Sequence, residues 1–380
     1  MAFAPPLMPT VSRPWRCHRP VINLRALSVL LLGTVCAAQG QSRGAGATRM
    51  LQLIDSIRVA EDDTLFLARP FHIVTGPSGH YFVVDGTEAR VLEIARSGRI
   101  VRAFGRRGRG PGELVMPYSA AIGGDSILAV MDNGQKRVVL YNLHTGRYLR
   151  NFLLLGWQPS LQFSGDQLLA GILEVDPGTA VVRLTFTGER ISAEGVIPPV
   201  IKTHPLLRSG FGAVRFTEAG NAVFAVFEVS QSLFHWRRGA RVAEEIPVPT
   251  VRRKGVRPDL FDELVRDPSK AAALGYDRSV PMLLSFLSPD ILGLVTVDGQ
   301  ITAAGLVGTY ALTVIDTGRG RVCPDIEVPA ERDPLPQLTL SGDTLVVLQQ
   351  GLDERGQPTS MIRRFLVRLE GCSWIAVPGR

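Results

Sequence analysis

Residues 68–117 read ARPFHIVTGPSGHYFVVDGTEARVLEIARSGRIVRAFGRRGRGPGELVMP. Two glycine turns and one polar loop divide this stretch into four short apolar-alternating runs. SGHYFVVD (78–85) turns into one run, and ARSGRIVRAF (95–104) turns into another. Glycine supplies the positive φ that tight hairpin turns need. The alternation in Arg90-Val91-Leu92-Glu93-Ile94 has the period of two that buries one face of a strand. The unit therefore reads as strand a, tight turn, strand b, loop, strand c, tight turn, strand d.

The same two turns recur in step along the rest of the chain. The first returns as GDSILAVMD (124–132), SGDQLLAGIL (164–173), AGNAVFAVFE (219–228), SPDILGLVTVD (288–298) and SGDTLVVLQQ (341–350). The second returns as LHTGRYLRNF (143–152), TFTGERISAE (185–194), WRRGARVAEE (236–245), DTGRGRVCPD (316–325) and LEGCSWIAV (369–377). One four-stranded unit cannot bury both of its faces alone, whereas a ring of six can. The reading is an all-β, six-bladed β-propeller of four-stranded antiparallel blades. The blades are expected at about 68–106, 117–153, 158–196, 208–248, 281–329 and 335–378, in one domain over 51–380. An extra run, LQLIDSIRV (51–59), is expected to pair with the last blade and help close the ring. Whether it replaces or flanks the outer strand there is open. Between blades four and five, Pro258, a stripe of Leu260, Phe261, Leu264 and Val265, and Gly275 predict a short helical insertion at 257–275, docked on the propeller.

The composition agrees: 45% hydrophobic, 7% aromatic, 39 glycines and 26 prolines in 380 residues favour a turn-rich β protein. The net charge of +7 is concentrated at one end. Residues 1–40 carry Arg13, Arg16, Arg19 and Arg25 and no acid. Without them 42 basic residues fall to 38 against 35 acidic ones, leaving +3. That is too little to argue for nucleic acid. The basic stretch, the apolar run Ala26–Val35 and the small residues after it read as a signal peptide over 1–40, directing export to a periplasmic or extracellular compartment. The apolar run is too short for a spanning helix, for which about 20 residues are needed. No later stretch is long enough either. Val35 stands where lipid attachment at Cys36 needs a small residue, so no lipoprotein is expected. In an oxidising compartment Cys323 and Cys372 could pair or remain separate thiols; with no CxxC they lack zinc-ligand spacing.

Residues 68–117 resemble an NHL-type repeat, and in particular bacterial exported proteins described only as six-bladed propellers. The matching elements are Pro70 with Ile73, Gly79 with Val83 and Asp85, Arg90 with Val91 and Ile94, and the run Phe104 to Glu113. The resemblance covers about 68–152 and is carried beyond that mainly by the turns. It implies a fold rather than a chemistry, because related propellers include sugar lactonases, an amide lyase and pure interaction modules.

In a four-stranded blade the a–b and c–d turns share one face, and the b–c loops and blade connectors share the other. The long segments 105–117, 194–212, 249–282 and 351–360 all fall in the second set. Function is therefore expected on that loop-rich face. The candidate binding residues are Arg106, Arg107 and Arg109, the cluster Arg252, Arg253 and Lys254, and His72 and Arg215 on inner strands. The expected ligand is a protein, polysaccharide or small molecule rather than nucleic acid, bound by a monomer. No cofactor, metal or catalytic residue is assigned. There is no HExxH and no GxSxG elbow, and FGRRGRGPGEL lacks the lysine of a phosphate loop and reads as a blade connector. Asp85 and Asp132 are expected to cap their own turns. The alternative is a metal-dependent propeller hydrolase or lyase with its site at the central channel, and a third possibility is a structural spacer in an envelope assembly.

Overall fold

The first five pairs of recurring turns each fold into one antiparallel sheet. The structure, a computed structural model, describes residues 50–155, 160–174, 178–203, 214–250, 252–255, 263, 266–267, 279–302, 305–330 and 336–378. Strands are numbered in chain order from β1 (Leu51–Arg58). Blade one is β2 (Pro70–Thr75), β3 (Tyr81–Asp85), β4 (Arg90–Ile94) and β5 (Ile100–Phe104). Blade two is β6 (Pro117–Gly123), β7 (Ile127–Asp132), β8 (Arg137–Asn142) and β9 (Tyr148–Leu153). Blade three is β10 (Ser160–Ser164), β11 (Gln167–Glu174), β12 (Thr179–Leu184) and β13 (Arg190–Glu194). A short helix, α1 (Pro199–Thr203), leads to blade four: β14 (Val214–Ala219), β15 (Ala222–Phe227), β16 (Ser232–Arg237) and β17 (Glu244–Pro247). Blade five holds β18 (Ser279–Ser288), β19 (Ile291–Thr302), β20 (Gly305–Asp316) and β21 (Arg321–Glu327). Blade six holds β22 (Gln337–Ser341), β23 (Thr344–Leu352) and β24 (Pro358–Val367).

The first strand of each blade lies beside the first strand of the next, and β2 meets β22 to close the ring. This places β2, β6, β10, β14, β18 and β22 around a central channel. The core lies between the blades. Phe82, Val84, Val91 and Phe104 of blade one pack on Leu128, Val130 and Val139 of blade two. Their neighbours Val83 and Leu92 pack on Val346 and Leu348 of blade six. Strand β3 is thus covered on both faces, which is why YFVVD is buried at every position. Each such side chain contributes roughly 1.5–3 kcal/mol of burial energy.

Closure departs from the expected blade boundaries at the sixth blade. Strand β1 is its outer strand, antiparallel to β24 from Leu51↔Val367 to Arg58↔Met361. Asp55 accepts a hydrogen bond from Arg364 at 2.8 Å across that pair. With this edge occupied, the last strand, β25 (Ile375–Ala376), cannot join blade six. It adds instead beyond β21 of blade five, pairing Val322↔Ile375 and Arg321↔Ala376. Cys323 and Cys372 form a disulfide, with Cα atoms 5.6 Å apart. Arg321 lies over the Trp374 ring, 4.2 Å from its centre. Most of the expected helical insertion at 257–275 lies outside the described residues.

The b strands end as the sequence suggests. Asp132 is fully buried; its carboxylate accepts from the backbone N–H groups of Met116 (2.9 Å) and Gly134 (3.2 Å) and from the Gln135 side chain (2.9 Å). Asp85 does the same for Ala68, Arg69, Thr87 and Glu88. One carboxylate therefore ties the incoming connector to the b–c turn of its blade. Arg137 completes the junction by donating to the carbonyls of Gly110 (3.1 Å) and Glu113 (2.7 Å). Asp132→Ala would leave several buried N–H groups without acceptors and should cost about 2 kcal/mol in urea unfolding; a loss below about 0.5 kcal/mol would show that water replaces the carboxylate.

Candidate binding site in the central channel

The stretch FGRRGRGPGEL is a self-satisfied connector. Glu113 accepts from the Gly110 N–H (2.8 Å) and from Arg106 Nε (3.0 Å). The Gly110 backbone bond, then Arg106, hold its carboxyl below the usual glutamate range. Gly108 sits at φ +157°, and a Cβ there would collide with that carboxylate. The Tyr141 hydroxyl donates to the Gly112 carbonyl at 2.9 Å, and Leu114 is fully buried beneath. Arg107 donates to the Thr87 carbonyl, and Arg109 is exposed. The arginines Arg106 and Arg107 thus hold local structure first.

The second basic cluster divides similarly. Arg253 is only 4% exposed, and its guanidinium donates to the carbonyls of Gln231 and Phe227 (both 3.3 Å) and of Ser230 (2.5 Å). Burial lowers its pKa to about 10, which still leaves it charged at neutral pH. It fastens the b–c turn of blade four and is not available as a rim cation. Arg252 donates its backbone N–H to Asp325 and lies 3.7 Å from the Glu327 carboxylate. Lys254 is exposed, with its backbone N–H on Ser279 Oγ at 2.7 Å. Residues 106–109 join blades one and two, and residues 252–254 join blades four and five. These junctions stand on opposite sides of a six-blade ring, so the two clusters do not form one patch.

The structure does bring His72 and Arg215 together. Both line a cavity of about 410 Å³ in the channel, reached by all six inner strands. His72 comes from blade one and Arg215 from blade four, facing each other across the ring. Burial, with help from the Arg215 charge, pulls the His72 pKa down to about 4, so the ring is neutral at pH 7. Its Nδ1 accepts the Ala120 N–H at 3.3 Å, which places the ring proton on Nε2. Arg215 is fixed by an Nε bond to the Met282 carbonyl at 3.0 Å. Gln162, Thr217, Thr339 and Tyr118 add polar groups, while Phe71, Phe163 and Ile122 give apolar wall. No aspartate or glutamate is among the described lining residues. Nor do the described residues contain a group of three or more His, Cys, Asp or Glu that could hold a metal ion.

Sequence reasoning had no means to rank His72 and Arg215 above the surface arginines. The signal was positional: both belong to inner strands, where a polar side chain has only the channel to face. Sequence reasoning put 351–360 among the long segments of the loop-rich face, but it did not show that blades five and six carry raised hairpins there. Strands β19 and β20 remain paired out to Thr302↔Gly305, and β23 and β24 out to Leu352↔Pro358, extending blades five and six at the b–c end.

Comparison with known proteins places the fold. A family model described as a 6-bladed beta-propeller matches residues 62–168. No curated protein matches the chain in sequence. Among solved structures, a Bacteroides fragilis protein described as exported is similar at 13% identity, over 84% of this chain and 96% of that one, with a TM-score of 0.58. A member of the duf4221 family from Bacteroides vulgatus is similar at 9% identity, over 84% and 99% of the two chains, with a TM-score of 0.61. At these identities the likeness is one of fold, and the six sheets define this chain as a six-bladed β-propeller.

Proposed function

We propose that this protein is an exported, non-enzymatic propeller that takes up a ligand or partner through its loop-rich face, over the mouth of the channel. The observation that carries the reading is asymmetry. The turns at 124–126, 165–166, 220–221 and 342–343 are tight, whereas the connector at 105–116, the segment 195–203 with α1, residues 252–255 and both raised hairpins belong to the opposite end. Rigid blades presenting long segments at one end are a common way to build a recognition surface. His72 and Arg215 come from the parts of their strands nearest that end.

Export is supported by residues 1–40, which lie outside the described residues, and by the Cys323–Cys372 pairing, which suits an oxidising compartment. The Bacteroides fragilis protein of the same fold is also described as exported. No described helix is long and apolar enough to cross a membrane. The NHL-like character of the first two blades rests on their own residues, Asp85, Arg90 and the Phe104–Glu113 connector.

Two sets of surface substitutions test the reading. Arg109→Glu with Lys254→Glu alters the loop-rich face, and Asp166→Lys with Asn221→Lys and Asp343→Lys alters the tight-turn face. Capture of partners from the extracytoplasmic fraction of producing cells, by cross-linking, should fall several-fold with the first set only. Loss confined to the second set would overturn the assignment of the face.

A further inference from the structure

We infer that the channel cavity is a binding site for a small organic monoanion, a carboxylate carried on an apolar body. The inference rests on the loop-face reading and narrows it to a ligand class. Its basis is the unbalanced chemistry of the lining. Arg215 contributes one permanent positive charge, and no carboxylate among the described lining residues offsets it. Its Nε is committed to the Met282 carbonyl, which fixes the plane of the guanidinium. The two terminal nitrogens are the part of the fork that matches a carboxylate. Among the described residues no ion pair engages them.

A single anion is indicated because only one charge is present. The opposite wall supplies a neutral donor: His72 accepts the Ala120 N–H on Nδ1 and so presents Nε2–H. A neutral imidazole adds a hydrogen bond without inviting a second negative charge. A partly desolvated cation is favoured by an anionic partner, and a carboxylate in the channel would supply one. Phe71 and Tyr118, with ring centres 6.1 Å apart, and Phe163 and Ile122 supply surface for an apolar body. The volume of about 410 Å³ suits a small molecule rather than a polymer chain.

The test uses the mature protein and five probes at pH 7: benzoate, octanoate, benzamide, octanamide and inorganic phosphate. Binding is read by calorimetry and by competition between the two acids. The expected result is saturable binding of the acids, mutual competition, and no measurable binding of the amides. Arg215→Met should weaken acid binding at least about tenfold, the loss of one charge-assisted pair. Arg215→Lys should retain part of it, and far-UV circular dichroism should be unchanged in both. Should Arg215→Met fail to fold, His72→Phe takes its place, with a smaller expected loss of several-fold. Equal binding of acids and amides would overturn the anion class while leaving a channel site in place. Phosphate binding without acid binding would overturn the apolar-body requirement. If no probe binds at millimolar concentration the channel site is wrong, while the loop-face reading stands or falls on its own cross-linking scan.

Discussion

Arg183→Met should lower the unfolding free energy by about 3–5 kcal/mol at pH 7, the usual result of removing one member of a buried ion cluster. Arg183 sits on β12 and is almost fully buried. Its Nε lies 2.6 Å from the Glu194 carboxylate on β13, and its terminal nitrogen pairs with Glu218 on β14 of the next blade. Glu218 is also bound by the Ser164 hydroxyl (2.6 Å) and by Arg238. With a side chain only 1% exposed, Glu218 is pushed upward in pKa by burial. The bonds from Arg183 and Ser164 outweigh that and hold it below the ordinary value of 4.5. A carboxylate depressed in this way stabilises the fold above its unfolded pKa, and the contribution is lost as pH falls through the folded value. Wild-type protein should therefore begin to lose this contribution only below about pH 4.5. In Arg183→Met the burial of Glu218 has less to offset it, its anion becomes costly, and mild acid relieves it. The gap between variant and wild type should thus narrow from pH 7 to pH 5 in urea titrations. The triple variant Arg183→Met, Glu194→Gln, Glu218→Gln should recover part of the loss. A gap under about 1 kcal/mol at pH 7 would mean that this cluster does not lock blades three and four together.

That cluster could not be read from the sequence. Arg183, Glu194 and Glu218 stand in strands of alternating pattern, where charged residues ordinarily mark the solvent side, and the packing of blade four over blade three buries them instead. Local features were legible because they depend on neighbours along the chain. Positive φ at Gly98, Gly146, Gly188 and Gly239 sets the recurring turns, and Asp85 and Asp132 cap groups two and three residues on, although each also reaches back to the incoming connector. Ring closure was only half legible. LEGCSWIAV has the composition of a c–d turn, and nothing local says that β1, over 300 residues away, already holds the edge it would need. Arg253 misled for a related reason: RRKG looks like a solvated run until three backbone carbonyls from blade four are placed around one guanidinium. The channel pair was partly legible, since inner strands can be counted off from the turns. What faces His72 depends on the number of blades and on their register.

The way the ring closes leads to the second large effect. Cys323 lies on β21 of blade five, and Cys372 follows β24 of blade six. The bond spans a separation of 49 residues, and the loop it closes contains β22, β23 and β24 of blade six. Without it, the last strand is held by a two-residue ladder, the Arg321–Trp374 contact and burial of Val377. The segment after β24 would then lose its covalent tie to blade five. Restricting so long a loop in the unfolded chain is worth about 4 kcal/mol in the chain-entropy description, and measured values for native bonds are commonly about 2–5 kcal/mol. Cys372→Ser and Cys323→Ser should therefore each lower stability by about 2–4 kcal/mol. The double variant should lose no more than either single one, because all three remove the same bond. Reductant should bring the wild-type urea midpoint down to that of the double variant and leave the double variant unmoved. Cys17 and Cys36 confuse this measurement unless residues 1–40 are removed first. Thiol titration of that shortened chain should then give two reactive groups after reduction in denaturant and none before. An unchanged midpoint in fully reduced protein would show that the β25 ladder and the Trp374 contact fasten the end of the ring by themselves.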